Sequence, residues 1–494
     1  MTSLRQILFF ALHILAVLPV CSQTLFLEAS GTTSDGKYAP LWLSSNRQGT
    51  VSPYSDSSYE RCGLFGDAMI GKDSTKALRI SYCADIMLSQ NAQYDFFIHQ
   101  LYLEMKYRKF TVTLGQKERN IEMRNDTLTS GGLSQGINAQ PLPGVYVYCD
   151  YLTVPGTGRW LKVRGHLGVG RTTDGAWQER WVDHEKNYRY TSNTLLLEKS
   201  ICLRIAPEWS HLVFEPSLQM MTQFGGTSYN ALGRNHYDIT QPIKHPENFK
   251  AFWQAFCHIG SEDVTDGNHP NSAGNTVGSY NIALTWNDED WMARGYFERY
   301  FEDQSMLTVQ YGIFDHLLGL EVRLPENPVI SSFVLEHLST KDQSGPVYHD
   351  FTHNIPESYT GIDDYYNHNL YTGWQHWGMA IGHPLITSPI YNANHQLRFQ
   401  NNRVKALHVG LEGMPSSRLG WRLLATWTRN WGTYATPLDD VVQTQHYLAE
   451  ARYTPSFLPG WKITMGVALD RGDLLGNSFG VQCTVRKSFN LRKR

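Results

Sequence analysis

After Ser22 the chain lacks any long apolar run, because charges or glycine interrupt every hydrophobic stretch, so no bilayer-crossing helix is expected there. Cysteine is sparse and unpatterned. Cys21 falls in the leader described below, and Cys62, Cys83, Cys149, Cys202, Cys257 and Cys483 form no C-x-x-C pair. That spacing indicates neither structural zinc nor thioredoxin-like chemistry, and it leaves one or two unassigned disulfides open. Charged residues make up only 18% of the chain, and a formal net charge of −3 gives no reason to expect nucleic acid. Gly-x-Ser-x-Gly and phosphate-cradling loops are missing. His349 and His353 lack the intervening glutamate of a zincin, so no metal ligand set is indicated, and no cofactor is expected.

What is present is aromatic and glycine-rich: 27 Tyr, 21 Phe, 14 Trp and 41 Gly. A membrane barrel with aromatic girdles and a wet lumen needs that balance, although soluble glycan-binding β-proteins share it. The N-terminus carries Arg5, then an apolar stretch from Ile7 to Val20 closed by Pro19, with Val20 and Ser22 at the −3 and −1 positions of a cleavage site. Residues 1–22 therefore read as a cleaved signal peptide, and the protein is expected to leave the cytoplasm. Leu18-Pro19-Val20-Cys21 loosely mimics a lipobox, but Val20 is larger than the small residue expected before a lipidated cysteine.

Period-two alternation is the dominant physical signal. Phe110, Val112 and Leu114 alternate with Thr111, Thr113 and Gly115, and Leu161, Val163, Leu167 and Val169 with Lys162, Arg164, His166 and Gly168. Trp421, Leu423, Ala425 and Trp427 oppose Arg422, Leu424, Thr426 and Thr428, and Trp461 to Leu469 repeats the pattern. Successive strand side chains face opposite ways, so each segment has one greasy and one polar face. Runs of about 9–13 residues exceed ordinary globular strands and suit tilted membrane strands. Tyr107, Trp286, Trp421 and Trp461 sit near strand ends on the greasy face, where a girdle belongs. The last strand reaches Phe489, an aromatic ending suited to the barrel-assembly machinery, before a basic tail. These features predict an all-β, antiparallel transmembrane barrel of roughly 16–18 strands. Residues 77–494 form its wall in this reading. Residues 23–76 alternate poorly around Ala39-Pro40-Leu41-Trp42-Leu43 and read as a partly helical N-terminal plug. Phe249, Phe252, Trp253 and Phe256, following Pro246, read as a short amphipathic helix packed as a lid or plug on the barrel rim, in preference to a membrane-surface or partner helix.

One set of residues resembles a known family. Tyr365-Tyr366-Asn367-His368-Asn369-Leu370-Tyr371-Thr372-Gly373-Trp374, with Gly378 and Ile381-Gly382-His383-Pro384-Leu385, is similar to the signature of the Wzi family of capsule-assembly outer-membrane proteins, nearest its Bacteroidetes branch. Asn402-Arg403, His408-x-Gly410-Leu411-x-Gly413, Pro40 to Gly49, Ser130-Gly131-Gly132-Leu133, Asn138 to Pro143 and Gln343 to Pro346 extend the likeness in order along the mature chain. Leu196-Leu197-Glu198-Lys199 departs from it, where a histidine before the lysine would be expected. The resemblance implies a plugged barrel in the outer membrane of a Gram-negative bacterium, tethering capsular or other surface polysaccharide as a lectin does.

The residues themselves suggest the same chemistry. Tyr365, Tyr366, Asn367, Trp374 and Trp377, with Asn402 and Arg403, combine ring faces for pyranose C–H groups with amides and a guanidinium for hydroxyls or carboxylates, which makes them the candidate ligand site. A loop packed by its own aromatics is the plain alternative. Glu298 and Glu302 project from one strand face and read as lumen charges, not as the opposed carboxylates of a glycosidase. The expected function is non-catalytic polysaccharide binding, with outer-membrane lipid around the wall. A sugar-permeable porin and a secreted β-rich glycoside hydrolase are the alternatives. An arginine at Leu423 or Val467 should impair assembly, and one at Thr426 or Thr464, on the other face, should be tolerated better.

Overall fold

The alternating segments pair edge to edge into one antiparallel sheet of 18 strands that closes on itself. The computed structural model describes residues 22–71, 77–232, 238–239, 241–258, 274–302, 314–325, 327–348, 359–362 and 364–492. Residues 1–21 of the expected signal peptide and the pair His349 and His353 lie outside these described residues, and Ser22 is the first residue of the wall. In chain order the wall begins with β1 (Ser22–Ser34), β2 (Ser57–Ile70), β3 (Leu78–Gln90), β4 (Phe96–Tyr107), β5 (Phe110–Gln116) and β6 (Gly144–Thr153). It continues with β7 (Leu161–Arg171), β8 (Leu195–Ile205), β9 (Leu212–Phe224), β10 (Asn275–Asn287), β11 (Met292–Glu302) and β12 (His316–Arg323). It ends with β13 (Ser332–Ser339), β14 (Val404–Ser416), β15 (Leu419–Gly432), β16 (Pro437–Tyr453), β17 (Trp461–Arg471) and β18 (Ser478–Arg492). Each strand pairs with its sequence neighbours, and β1 pairs with β18 from Gln23↔Arg492 to Ser34↔Gly480, which leaves no open edge.

Burial is inverted relative to a soluble protein. Leu203, Ile282, Leu318, Leu423, Met465 and Val467 are exposed on the outer face, whereas Asp85, His99, Glu298, Glu321, Glu336 and His408 are buried inside. That inversion is what a lipid-facing apolar band around a polar lumen requires. Tyr107, Trp286, Trp421 and Trp461 all fall at the barrel end that holds both chain ends, as a girdle would. Links at that end are short, such as 108–109 and 417–418, while the opposite end carries 35–56, 117–143, 172–194, 225–274 and 340–403. In bacterial barrels the short turns face the periplasm and the long loops face outward.

Two expectations are corrected, and the disulfide question left open by the sequence is answered. The N-terminal plug is shorter than 23–76: among the described residues of that range 35–56, with the short helix Leu41–Ser44, turns inward, and β1 and β2 are wall strands. Their alternation is weak because Phe26 faces the lumen, against the rings' lipid-facing rule, and Glu60 faces out from β2. All six cysteines among the described residues are free. On neighbouring β2 and β3, Cys62 stands opposite Ile86 and Cys83 opposite Phe65, so the two are out of register for a bridge. The predicted helix forms as α3 (Phe249–Cys257), after α1 (Leu41–Ser44) and α2 (Trp177–Trp181), but Asn248 rather than Pro246 opens it, its side chain accepting the Ala251 N–H at 2.9 Å. Its buried face is Ala251 and Ala255, packed against Leu197 and Phe224, while Phe249 is 79% exposed. Leu197 alternates with lumen-facing Glu198, so α3 lies on the outside of the rim and is not a lid over the lumen.

Candidate functional site

Three of the long links fold back and fill the lumen, and each is pinned by wall carboxylates. Segment 35–56 brings α1, whose Leu41 N–H donates to Asp470 Oδ2 at 2.8 Å and whose Trp42 Nε1 donates to Thr426 Oγ1 at 3.0 Å. A Cβ at Gly480 would stand 2.8 Å from Pro40 Cδ, so only glycine there lets α1 reach the wall. Lower in the same segment Arg47 meets Glu450 at 2.6 Å. Segment 117–143 sends Arg119 to Glu198 at 2.6 Å and Arg124 to Glu298 at 2.5 Å. Glu298 also accepts the N–H groups of Leu133 at 2.9 Å and Ser134 at 3.1 Å, and Glu336 accepts that of Ser130 at 2.7 Å. Segment 364–403 closes over both, with the Tyr366 N–H donating to Glu302 at 2.6 Å. An ionised carboxylate is acceptor-only, so a ring of them suits loop backbone whose N–H groups have no ladder partner. Glu298 and Glu302 are thus lumen anchors, as expected, and neither is an accessible catalytic carboxylate.

The family-like segments meet here. Asn46 Nδ2 donates to the Ser130 carbonyl at 3.0 Å, and Asn138 Nδ2 to that of Ala380 at 3.2 Å. His408 Nε2 lies 2.8 Å from the Leu128 carbonyl, and Gln343 Nε2 donates to the Asn402 carbonyl at 3.1 Å. Burial pushes His383 down to about 3, and His376 down to about 4, so both are neutral under ordinary conditions. These motifs therefore specify the plug and its docking points.

That placement corrects the candidate ligand site. Tyr365, Tyr366, Trp374 and Asn402 are 0% exposed, and no ring face among them is open to a polymer. Trp374 Nε1 donates to the Ser134 carbonyl at 2.8 Å, the Tyr366 hydroxyl donates to the Leu133 carbonyl, and Tyr365 OH donates to Asp315 at 3.0 Å. Trp377 packs edge-on to Tyr94 and Phe97, with centroids 5.3 and 5.8 Å away. Asn367, half-buried, bonds Asp364 and the Phe399 carbonyl. The plain alternative, a loop packed by its own aromatics, is what the fold contains. Arg403 alone stands apart, at the outer rim over the Tyr434 ring at 3.8 Å.

A cavity of ≈540 Å³ remains between β4–β8 and the segment 117–123. Thr111 and Arg164 lie on the short-turn half of their strands, and Tyr146, Tyr148 and Glu198 on the long-link half, so the cavity sits near the middle of the wall. Its wall includes Tyr146, Tyr148, Arg164, His166 and Glu198, and Lys117, Arg119 and Glu122 come from the plug. Tyr148 is 39% exposed although it alternates with lipid-facing Val145 and Val147, which makes it an open ring face inside the lumen. Arg164 approaches Glu122 at 3.4 Å, both partly open to water, and lies 5.3 Å from the Tyr151 ring centroid. His166 Nδ1 is 2.7 Å from Ser200 Oγ. One open tyrosine ring, guanidinium forks and carboxylates in one polar cavity can stack on and hydrogen-bond a polyhydroxylated ligand. The sequence signal for it was available: Tyr146 and Tyr148 are aromatics on the polar face of an alternating strand. Among the described residues no cluster of His, Cys, Asp and Glu is arranged to hold a metal.

No protein-family model matches the chain, and no curated protein matches it. Solved structures do share its fold. It is similar to Wzi, described as an outer-membrane carbohydrate-binding β-barrel involved in group 1 capsule assembly in Escherichia coli, at 11% identity and a TM-score of 0.55, over 94% of this chain and 85% of that one. A BenF-like porin from Pseudomonas fluorescens Pf-5 aligns at 9% identity and 0.49, over 96% of this chain and all (100%) of that one. The Pseudomonas aeruginosa OccK3 structure aligns at 9% and 0.49, over 97% and 98%. At 11% identity the first of these establishes the architecture alone, and that architecture is an outer-membrane-type β-barrel.

Proposed function

We propose that this chain is an outer-membrane protein that binds polysaccharide without catalysing its turnover and serves capsule assembly or surface attachment. The observation that carries the proposal is the plug: buried ion pairs and aromatics fill the lumen and leave a polar, tyrosine- and arginine-lined cavity. A diffusion porin needs an open constriction, whereas a binder needs a fixed pocket. The carbohydrate-binding barrel named above has the same architecture and supports the reading. Export through a cleaved leader, insertion by the barrel-assembly machinery and a lipid-covered wall go with it.

The test uses the purified full-length barrel on a glycan array and in a pulldown with surface polysaccharide. Retention is expected, and Tyr148→Ala combined with Arg164→Gln is expected to reduce it at least ten-fold with the same amount of heat-modifiable barrel. Steady conductance in planar bilayers, together with no polysaccharide retention, would favour the porin instead.

A further inference from the structure

The outer face of β13–β15 carries positive charge where lipid should lie. On β15 the lumen side is Arg422, Leu424, Thr426, Thr428 and Asn430, so Trp421, Leu423, Trp427, Arg429 and Trp431 point outward. Register places Lys405 of β14 directly opposite Arg429, on that same outer face. Two like charges across a ladder are unfavourable unless something anionic lies between them. Among the described residues neither forms an ion pair with a carboxylate, and neither does Arg403, just above them. Lys341 completes the group, its Nζ 5.5 Å from the Trp431 centroid with Arg429 at the same 5.5 Å, and Asp342 approaches it only at 3.9 Å.

Depth then identifies the ligand. Arg429 lies eight residues above the periplasmic girdle at Trp421. At about 3.3 Å per residue and a tilt of about 40°, that is about 20 Å along the membrane normal, and Trp431 is at about 25 Å. An apolar band is about 25 Å tall, so the cations sit at its outer edge with Trp427 just beneath them. Rings at that level straddle acyl chain and headgroup, and cations there meet headgroup phosphate. We infer that Lys341, Arg403, Lys405 and Arg429 form a binding site for the phosphorylated headgroup of an outer-leaflet glycolipid. Its apolar chains would lie down the Trp427–Leu423 face.

The full-length barrel in neutral detergent would be titrated with bisphosphorylated lipid A, its dephosphorylated form, inorganic phosphate and polygalacturonate, with binding read by native mass spectrometry. Lipid A should bind at least ten-fold more tightly than the dephosphorylated form, and inorganic phosphate alone should compete weakly. Lys405→Gln with Arg429→Gln should abolish that preference at an unchanged heat-modifiable fraction, and Arg429→Lys should keep most of it. If the double variant fails to fold, Lys341→Gln with Arg403→Gln, off the ladder, should lose the preference at least several-fold. Equal lipid A binding by folded variants would overturn the site. So would polygalacturonate displacing lipid A from the cations, which would assign them to an acidic polymer.

Discussion

Removing Glu298 should unlock the plug without dismantling the wall. Its side chain is 3% exposed and Arg124 is 4% exposed, so the 2.5 Å pair is desolvated. Breaking such a pair from one side costs about 3–5 kcal/mol, because the remaining charge is left buried and uncompensated. Glu298→Ala also orphans the Leu133 and Ser134 N–H groups. Even the lower figure shifts the docked-to-undocked ratio of segment 117–143 roughly a hundred-fold, and the upper figure several-thousand-fold. The ladder hydrogen bonds of β11 to β10 and β12 are backbone bonds and survive the change. Planar-bilayer recording should therefore show frequent openings in Glu298→Ala where the parent shows little steady current, with the unheated gel band of the folded barrel retained. Glu215→Gln is the control, since its Arg204 partner at 3.6 Å is another wall residue and no plug segment depends on it. A silent Glu298→Ala, or equal openings in both variants, would refute the latch.

Leu423→Arg and Val467→Arg, both on the lipid face, should each cost about 2–4 kcal/mol at mid-depth and lower the yield of heat-modifiable barrel. Thr464→Arg should be tolerated, but Thr426→Arg should not, because Thr426 is fully buried beneath Trp42; the gel assay distinguishes all four. His368, His376 and His383 are held neutral in the docked plug by burial, down to about 3, 4 and 3, against an ordinary value near 6.5. Docking stability is therefore full above pH ~6.5 and is lost as pH falls from there toward 4, by about 2 kcal/mol per histidine at pH 5. Bilayer conductance compared at pH 7.5 and pH 5 should rise in acid; no change would remove the histidines from the argument. Trp374→Ala should open the lumen by about 3–5 kcal/mol of lost packing, read as conductance, whereas Arg403→Ala should leave the current unchanged.

Much of the wall was legible because the period-two rule acts locally and the lipid face admits few exceptions. Leu423 to Trp427 and Trp461 to Leu469 face outward as alternation demands, and four girdle aromatics fall at one end. The rule failed at β1 and β2, where Phe26 turns inward to lie beneath Arg61 and Arg486, 5.6 and 3.7 Å from its ring. It also misjudged α3, whose 3.6-residue period was correct but whose wall face is Ala251 and Ala255 with Phe252 and Phe256 beside them, while Phe249 and Trp253 stay exposed. Periodicity identifies an apolar face without saying whether protein or lipid covers it. The ligand site failed for a related reason. Tyr365 to Trp377 has the composition of a sugar platform, but composition does not distinguish rings offered to a ligand from rings consumed by a plug. Tyr146 and Tyr148, aromatics on the polar face of β6, line the cavity that the plug leaves.

The plug also explains why the wall groups that receive its N–H groups are carboxylates, whereas Arg422 on the wall meets a loop carbonyl, that of Thr127, at 2.8 Å. Glu298 receives one guanidinium and two backbone N–H groups, Glu336 receives the Ser130 N–H together with hydroxyls from Thr129, Ser130 and Tyr296, and Glu302 receives the Tyr366 N–H. A loop entering a barrel brings N–H groups with no strand to pair with, and each needs an acceptor once water is excluded. A carboxylate supplies up to about four lone-pair sites, and a guanidinium supplies none. Exchanging the charges, with Glu at 124 and Arg at 298, would restore the ion pair but leave Leu133 and Ser134 facing donors. The wall charge is therefore set by the backbone of the loop it receives, and only secondarily by Arg124.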